Sequence, residues 1–282
     1  MTDEPDAPAA GAAGAFAWLI ARTARNRARA QLRRLRQPRY ALGLVLAAGY
    51  LWLVYLRPRH SAIEGAGIPS LATEAVVLFF SLVLFAFAAW WWVMGAPRTA
   101  LTFTPAEVQL LFPAPLVRRE LILYKLMKAH SAMLVMSLVF GVLLRRGLGD
   151  VPMLMRAFGL FVLYATLHLH QLGVSLSREG LAGRGTGRIR SLLPLVLFLG
   201  LLATLVASVA RAYDATPSPG MDLWVERVVA PFRAPAASLV LLPARVALGP
   251  AFAASVGDWL RSVGPAVLLL LAHYVWVLRA DA

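Results

Sequence analysis

The sequence predicts an all-α integral membrane protein with six transmembrane helices. Hydrophobic residues make up 60% of the 282-residue chain, and its mean hydropathy is +0.69. A soluble domain of this size has too small a core to bury so much apolar surface. Apolar runs that approach the length needed to cross ~30 Å of hydrocarbon recur along the chain. A span in lipid must satisfy its own backbone polar groups, so these runs are expected to be helices; the alternating pattern of a membrane β-barrel is absent.

Six apolar segments are predicted to cross the bilayer. They are residues 40–56, 71–94, 129–144, 157–176, 192–210 and 265–278. The last of them is short and marginal for a full crossing. Residues 1–14 are expected to be a flexible tail, and residues 40–282 to form the six-span transmembrane domain.

Residues 15–39 combine aromatic and aliphatic side chains with a run of arginines. This composition favours a basic amphipathic helix in the plane of the headgroups, with arginines toward phosphate and Phe16, Trp18 and Leu19 toward acyl chains. A basic tail that only fixes the topology explains the same composition. The residues leave both interpretations open.

The basic residues predict the orientation. With the N-terminus inside, the cytoplasmic segments 1–39, 95–128, 177–191 and 279–282 contain 18 of the Lys and Arg residues, and the external segments contain 10. This bias predicts that both ends of the chain lie inside. It also accounts for the net charge of +14 without nucleic-acid binding, which would require a basic face on a soluble module.

Residues 211–264 contain apolar pieces that prolines interrupt, among them Pro243 and Pro250. Each piece is predicted to be too short to cross the membrane. Short re-entrant helices on the external side, covered by protein, are therefore expected here.

Residues 102–125 are expected to hold a short, rigid cytoplasmic helix. Thr104 is a plausible N-cap, with Pro105 at the first helical position and Glu107 completing a capping box. Pro113 is expected to end this helix, and a second helix begins near Val117 and enters the third span. From the residues alone, the segment is either a mechanical lever or an ordinary interfacial loop.

The run FPAPLVRRELILYK at 112–125 resembles the signature of type-2 ATP-binding-cassette (ABC) exporter permeases, and more narrowly the group described as "putative ABC exporter". Such permeases have an in-plane helix before the first span, a coupling helix between spans two and three, and re-entrant helices between spans five and six. Residues 15–37, 104–112 and 223–262 correspond to these elements. Val117 departs from the pattern, where Ser is more usual.

The resemblance implies the membrane-spanning permease subunit of an ATP-driven exporter in the bacterial cytoplasmic membrane, itself not an enzyme. Its partners would be a nucleotide-binding ATPase subunit, which binds ATP and Mg, and a second permease half, identical or homologous. The residues implied to contact or flank the ATPase are Glu107, Leu110, Leu111, Phe112, Arg118, Arg119 and Glu120. The substrate cannot be predicted. Because related permeases are often twice this long, the chain is either half of a longer protein or a half-size subunit.

The chain has no nucleotide-binding motif of the G-x-x-x-x-G-K-[ST] type, since the glycines at 183–187 have the wrong spacing and no lysine. There is no cysteine, so thiolate metal sites and disulfides are excluded. His168 and His170 point apart on a helix, and the other histidines are scattered, so no metal site is predicted. No cofactor or catalytic residue is predicted in this chain.

Four polar side chains in the fourth span share one helical face. They are Tyr164, His168, Gln171 and Ser175. They either line a substrate path or form interhelical hydrogen bonds. In the fifth span, Gly200, Thr204 and Ser208 repeat every four residues, which indicates a packing face within or between subunits.

Two other functions fit a polytopic membrane protein. A secondary transporter or channel without an ATPase predicts inverted repeats and charges at the membrane midplane. A lipid-modifying membrane enzyme predicts clustered Asp, Glu and His near the membrane surface. Neither pattern is found in the sequence.

Overall fold

The structure, a computed structural model, describes residues 10–34, 37–51, 70–95, 105–111, 113, 118–144, 150–182, 187–214 and 220–280. Within these ranges every regular element is helical. The helices are α1 (Ala10–Arg34), α2 (Pro38–Leu51), α3 (Ser70–Met94), α4 (Pro105–Leu111), α5 (Arg118–Leu143), α6 (Met153–Ala182), α7 (Gly187–Tyr213), α8 (Met221–Val229), a 3-10 turn (Ala230–Arg233), α9 (Pro235–Phe252) and α10 (Val256–Ala280). The predicted all-α fold is confirmed for this part of the chain.

The chain divides into two compact units. The first comprises residues 1–62 and 99–132, and the second comprises residues 63–98 and 133–282. Residues 118–132 of α5 belong to the first unit, and residues 133–143 belong to the second.

Six helices in the described part of the chain are long and apolar enough to cross a membrane. Their crossing segments are Thr73–Met94, Tyr124–Leu143, Met153–Arg178, Leu192–Tyr213, Pro235–Phe252 and Val256–Ala280. Four correspond to the predicted second to fifth spans. Of the predicted first span, residues 40–51 belong to α2 and the remainder lies outside the described residues, so that span stays a prediction.

The last predicted span is longer than the sequence indicated. Helix α10 begins at Val256 rather than near Pro265, and it has 25 residues. Its start is fixed by Ser255, whose Oγ accepts a hydrogen bond from the backbone N–H of Asp258 at 3.1 Å and donates one to the Asp258 carboxylate at 2.7 Å. This N-terminal cap satisfies one backbone donor of the first turn. The helix continues through Pro265.

The prediction that prolines divide residues 235–252 into short pieces was wrong. Helix α9 runs continuously over 18 residues with Pro243 and Pro250 inside it. A proline in a helix loses one backbone hydrogen bond and crowds the preceding turn. Here Leu241 and Leu248 are almost completely buried against neighbouring helices, and that burial offsets the cost.

Helices α3, α6 and α10 run in the same direction. At their beginnings, the indole N–H of Trp259 donates to the Met155 carbonyl at 2.9 Å, which places the start of α10 beside the start of α6. At their ends, the Arg178 guanidinium donates to the Trp92 carbonyl at 2.8 Å, and Trp92 stacks on Trp276. Contacts at both ends therefore fix α6 and α10 as parallel. Helix α3 passes from a cluster that joins Leu84 to Leu160 of α6 to the contact at Trp92, so it runs in the same direction.

Helix α7 runs opposite to these three. Leu201 and Leu205, in its second half, pack in a cluster with Leu78 near the start of α3. Pro194, near its beginning, lines a cavity together with Trp92 near the end of α3. The close of α5 likewise lies beside the start of α6.

Helices α6 and α9 approach each other most closely at Gly159. A Cβ added at this glycine would lie 2.6 Å from the Pro250 carbonyl carbon, and the nearest atoms belong to backbone that cannot rotate away. At Gly200, in α7, an added Cβ would meet nothing within 4 Å.

We expect Gly159→Ala to lower the thermal midpoint of the purified protein in detergent, because the methyl group forces α6 and α9 apart at a cost of about 1–3 kcal/mol. Gly200→Ala is the matched control, since both variants gain the same helix propensity of roughly 1 kcal/mol. Equal midpoints for the two variants would show that the close approach is not present.

Candidate functional site

The short helix α4 is attached to the beginning of α5 by a buried carboxylate. Glu107 is 8% exposed and accepts hydrogen bonds from Lys125 Nζ at 2.8 Å and Lys128 Nζ at 2.5 Å. The Tyr124 hydroxyl donates to the same carboxylate at 3.3 Å. Because Lys125, Lys128 and Tyr124 all lie on α5, Glu107 joins α4 to the beginning of α5.

The geometry of this cluster follows from helix periodicity. Tyr124, Lys125 and Lys128 are at positions i, i+1 and i+4, which places them on one side of α5. Two ammonium groups around one carboxylate provide charge-assisted hydrogen bonds, which are about twice as strong as neutral ones. Removing one partner from such a buried arrangement is costly, because the remaining charge is left without compensation. The cluster therefore holds α4 in a defined position.

Helix α1 packs against the same turn of α5. The ring of Phe16 lies 5.5 Å from that of Tyr124, and both side chains are buried. Leu19 and Ile20 pack around them with Leu121 of α5. Protein therefore covers Phe16, which was expected to face acyl chains, and covers Leu19 in part.

The rest of α1 keeps an exposed, basic character. Trp18 is 60% exposed, and the Arg22 guanidinium lies over its ring at 5.1 Å. Trp18 therefore lies on the exposed side of α1. Its predicted location at the membrane interface stays a prediction.

The residues predicted to contact the ATPase lie in different places in the structure. The carboxylate of Glu107 accepts hydrogen bonds from Lys125 and Lys128 within the protein, a role that the sequence analysis did not assign to it. Leu110 and Leu111 are in α4, while Arg118, Arg119 and Glu120 form the first turn of α5. Phe112 lies outside the described residues, as does the predicted N-cap Thr104. The contact of all seven predicted residues with an ATPase stays a prediction.

The described side chains that α4 leaves exposed are different ones. Val108 is 41% exposed, and Pro105 and Gln109 are also exposed. They lie next to the buried Glu107 in sequence, so one side of the short helix is anchored and another is free. We call Pro105, Val108 and Gln109 the free face of α4.

The polar face predicted on the fourth span lies on α6, and its members are partly buried. Tyr164 packs edge-on against Phe140 of α5 and joins an apolar cluster around Leu163. None of Tyr164, His168, Gln171 and Ser175 lines the cavity described next. Their place on a substrate path stays a prediction.

A cavity of about 280 Å³ lies among α3, α6, α7, α9 and α10. Its walls are mostly apolar. They are formed by Leu84, Phe85, Ala88, Trp92, Thr166, Leu167, His170, Leu193, Pro194, Leu197, Pro243, Ala244, Ala247, Leu269 and His273. The sequence analysis missed this cavity because its walls come from helices far apart in the chain.

Two histidines meet at the cavity wall. His170 Nδ1 lies 3.2 Å from His273 Nε2, although the residues are 103 positions apart. The Trp276 ring lies 5.6 Å from the His170 ring and 5.8 Å from the His273 ring. The sequence analysis considered these histidines scattered, and only their helical register, combined with the parallel course of α6 and α10, could have brought them together. No cluster of three or more metal-ligating side chains occurs in the described part of the chain.

Comparison with known proteins gives one family. Residues 15–217 match the family model described as "Putative ABC exporter". No curated protein and no solved structure matches the chain. The matched range covers well over half of the sequence and includes most of α1, the anchored helix α4 and the cavity-lining part of α6. The chain belongs to this ABC exporter family, a family of transport-related membrane proteins.

Proposed function

We propose that this chain is the permease subunit of an ATP-driven exporter, working with a separate nucleotide-binding ATPase and a second permease half. The observation that carries the proposal is the anchoring of α4 to α5 through Glu107. Helix α5 then runs for 26 residues without a break, from this anchor into the predicted third span. A force on α4 would therefore reach a membrane-crossing helix through a rigid connection.

The free face of α4 is the surface we assign to the ATPase. An exposed apolar residue on a short, held helix suits insertion into a groove of a partner, because little conformational entropy is lost on binding. Val108 has this character, and Leu110, Leu111 and Phe112 are proposed to extend the same contact. ATP binding and hydrolysis take place in the partner, and this chain converts the resulting movement into a change in the membrane region.

The contacts at its two ends favour an α9 that does not cross the membrane. Helix α7 ends beside the start of α3, and α10 begins beside the start of α6. Arg233, just before α9, bonds to Glu74 at 2.7 Å, and the Asp150 amide donates to the Ala254 carbonyl just after α9 at 3.0 Å. We infer that both ends of α9 lie on the external side and that this unbroken helix stays in the outer part of the membrane, although its length alone would permit a crossing.

The entry of α9 is tied down by a surface ion network. The Arg233 guanidinium bonds to the carboxylates of Glu74 and Glu226. The hydrogen bond with Glu74, followed by that with Glu226, raises the pKa of Arg233 above its ordinary value, so this side chain stays charged at every physiological pH. The positive charge of Arg233 is therefore always present, and the network lasts as long as the two carboxylates are ionised.

If the free face of α4 binds the ATPase, a negative charge placed on it should weaken that binding. Val108→Asp should prevent co-purification of the ATPase subunit, because a carboxylate would be buried in an apolar groove. Tyr213→Asp is the control, since Tyr213 is 83% exposed and lies at the opposite, external end under this topology. The measurement is the amount of ATPase recovered with the tagged chain in mild detergent. If Val108→Asp retains the ATPase as well as the control does, the assigned surface is incorrect.

The anchor predicts a second effect. Glu107→Gln should increase amide hydrogen exchange across residues 105–111 by about tenfold, equivalent to ~1.4 kcal/mol, because a neutral amide cannot compensate two ammonium groups. Asp222→Asn, at an exposed carboxylate in α8, should leave this exchange unchanged. Equal exchange in wild type and Glu107→Gln would mean that the carboxylate does not hold α4.

The topology of α9 predicts a labelling pattern. The chain has no cysteine, so single cysteines at Ala234 and Ala254, both exposed, can be labelled without background. A membrane-impermeant thiol reagent added to intact cells should modify both positions, because the two ends of α9 lie on the external side. Modification of only one of them from outside would establish that α9 crosses the membrane.

A further inference from the structure

Four arginines of α1 whose side chains the structure describes lie in one line along the helix. Arg22, Arg25, Arg29 and Arg33 are at positions i, i+3, i+7 and i+11, which is the spacing of a single helical face. All four side chains are exposed. At a rise of about 1.5 Å per residue, they extend over about 16 Å of the helix. We call these four residues the arginine line.

Trp18 lies on the same face of α1. It precedes Arg22 by one helical turn, is 60% exposed, and has the Arg22 guanidinium over its ring at 5.1 Å. Helix α1 contains no Asp or Glu, so the negative charge that balances the arginine line must come from outside this helix. Tryptophan is enriched where membrane and water meet, because its ring is apolar and its N–H is polar.

The opposite face of α1 is held by protein. Phe16 and Ile20 lie about half a turn around the helix from the arginine line and pack with Leu121 and Tyr124 of α5. Tyr124 is the first residue of the segment of α5 that is long and apolar enough to cross a membrane. Helix α1 is therefore attached at the level where α5 enters the membrane, with the arginine line on its outer side.

The chemistry of the arginine line fits phosphate. Each guanidinium donates several hydrogen bonds in a planar fork, which matches the oxygens of a phosphate group. At the level where a helix enters the membrane, the phosphates within reach are those of lipid headgroups, and Trp18 is suited to the same layer. Anionic phospholipids also give the membrane a negative surface potential that attracts basic segments.

We propose that the arginine line of α1, together with Trp18, binds the headgroups of anionic phospholipids. This mode differs from that of an ordinary interfacial amphipathic helix, whose apolar side chains enter the acyl layer. In α1 the apolar side chains Phe16 and Ile20 pack on α5 instead, so charge rather than apolar burial decides the binding. The proposal does not depend on an ATPase partner.

A fluorescent label beside the arginine line tests the proposal. The chain has no cysteine, so Asn26→Cys, at an exposed position next to the line, accepts a single label. The labelled full chain is placed in nanodiscs of phosphatidylcholine alone, or of roughly two parts phosphatidylcholine to one part phosphatidylglycerol with the same acyl chains. Quenching of the label by acrylamide, a neutral molecule dissolved in water, measures how well lipid headgroups cover the label.

We expect phosphatidylglycerol to reduce acrylamide quenching by a factor of about three or more, because the attracted headgroups cover the label. Salt at about 1 M should restore the quenching, since it screens charges separated by more than about 3 Å. Replacing Arg22, Arg25 and Arg29 together by Gln should remove the effect of phosphatidylglycerol. Replacing the same three by Lys, which keeps the charge, should retain most of it.

The matched control removes three exposed arginines elsewhere in the chain. Arg211→Gln, Arg227→Gln and Arg261→Gln, combined in one variant, lower the net charge by the same amount and should behave like wild type.

Equal quenching in the two lipids would overturn the proposal and leave α1 as a basic segment that only fixes the topology. An effect of phosphatidylglycerol that survives the Gln substitutions in α1, or that the control variant loses equally, would also overturn it. If the α1 variant does not fold, as judged by its thermal midpoint, the wild-type chain in the two lipids, with and without salt, still decides the question. Because no ATPase is present, failure here leaves the exporter proposal intact, and failure of the ATPase experiments leaves the lipid result standing.

Discussion

The carboxylate of Glu107 is buried between two lysines of α5, and this ion cluster holds α4 against α5. The proposed transfer of movement from an ATPase to the membrane helices depends on it. Glu107 and Lys125 are separated by prolines at 113 and 115, a stretch that helix propensity cannot make rigid by itself. The ion cluster holds Glu107 of α4 directly against the beginning of α5. The packing of Phe16 on Tyr124 adds α1 to the same turn. Three elements of the first unit thus meet at one position on the helix that continues into the second.

Parts of the fold could be predicted because the bilayer restricts the choices. Uncharged runs of sufficient length must be helices in lipid, and those at 71–94, 129–144, 157–176 and 192–210 are. The start of α4 at Pro105 also agreed with the capping pattern. These features depend on neighbours in the sequence, which composition and periodicity report directly.

The remaining features depend on residues far apart. Pro243 and Pro250 look like helix breakers until the burial of Leu241 and Leu248 is known. His170 and His273 look scattered until α6 and α10 are seen to be parallel. Glu107 looked like a partner contact because a capping box and a family resemblance both drew attention to it, whereas its lysine partners lie 18 and 21 positions away. Patterns among neighbouring residues in the sequence cannot predict contacts between residues so far apart.

The second unit combines tight packing with an open space. At Gly159 and Gly173 the helices approach so closely that any side chain would clash, with Pro250 or with the Trp276 ring. The same unit contains the cavity of about 280 Å³ among five helices. Protein interiors are otherwise closely packed, so a mostly apolar space of this kind is a candidate binding site.

The central claim is that α4 meets a motor protein, and crosslinking tests it most directly. A photoreactive amino acid at Val108, activated in intact cells, should give a covalent adduct between this chain and a nucleotide-binding ATPase subunit, and the same amino acid at Tyr213 should not. An ATPase adduct from both positions, or from neither while an external reagent reaches residue 108, would contradict the account.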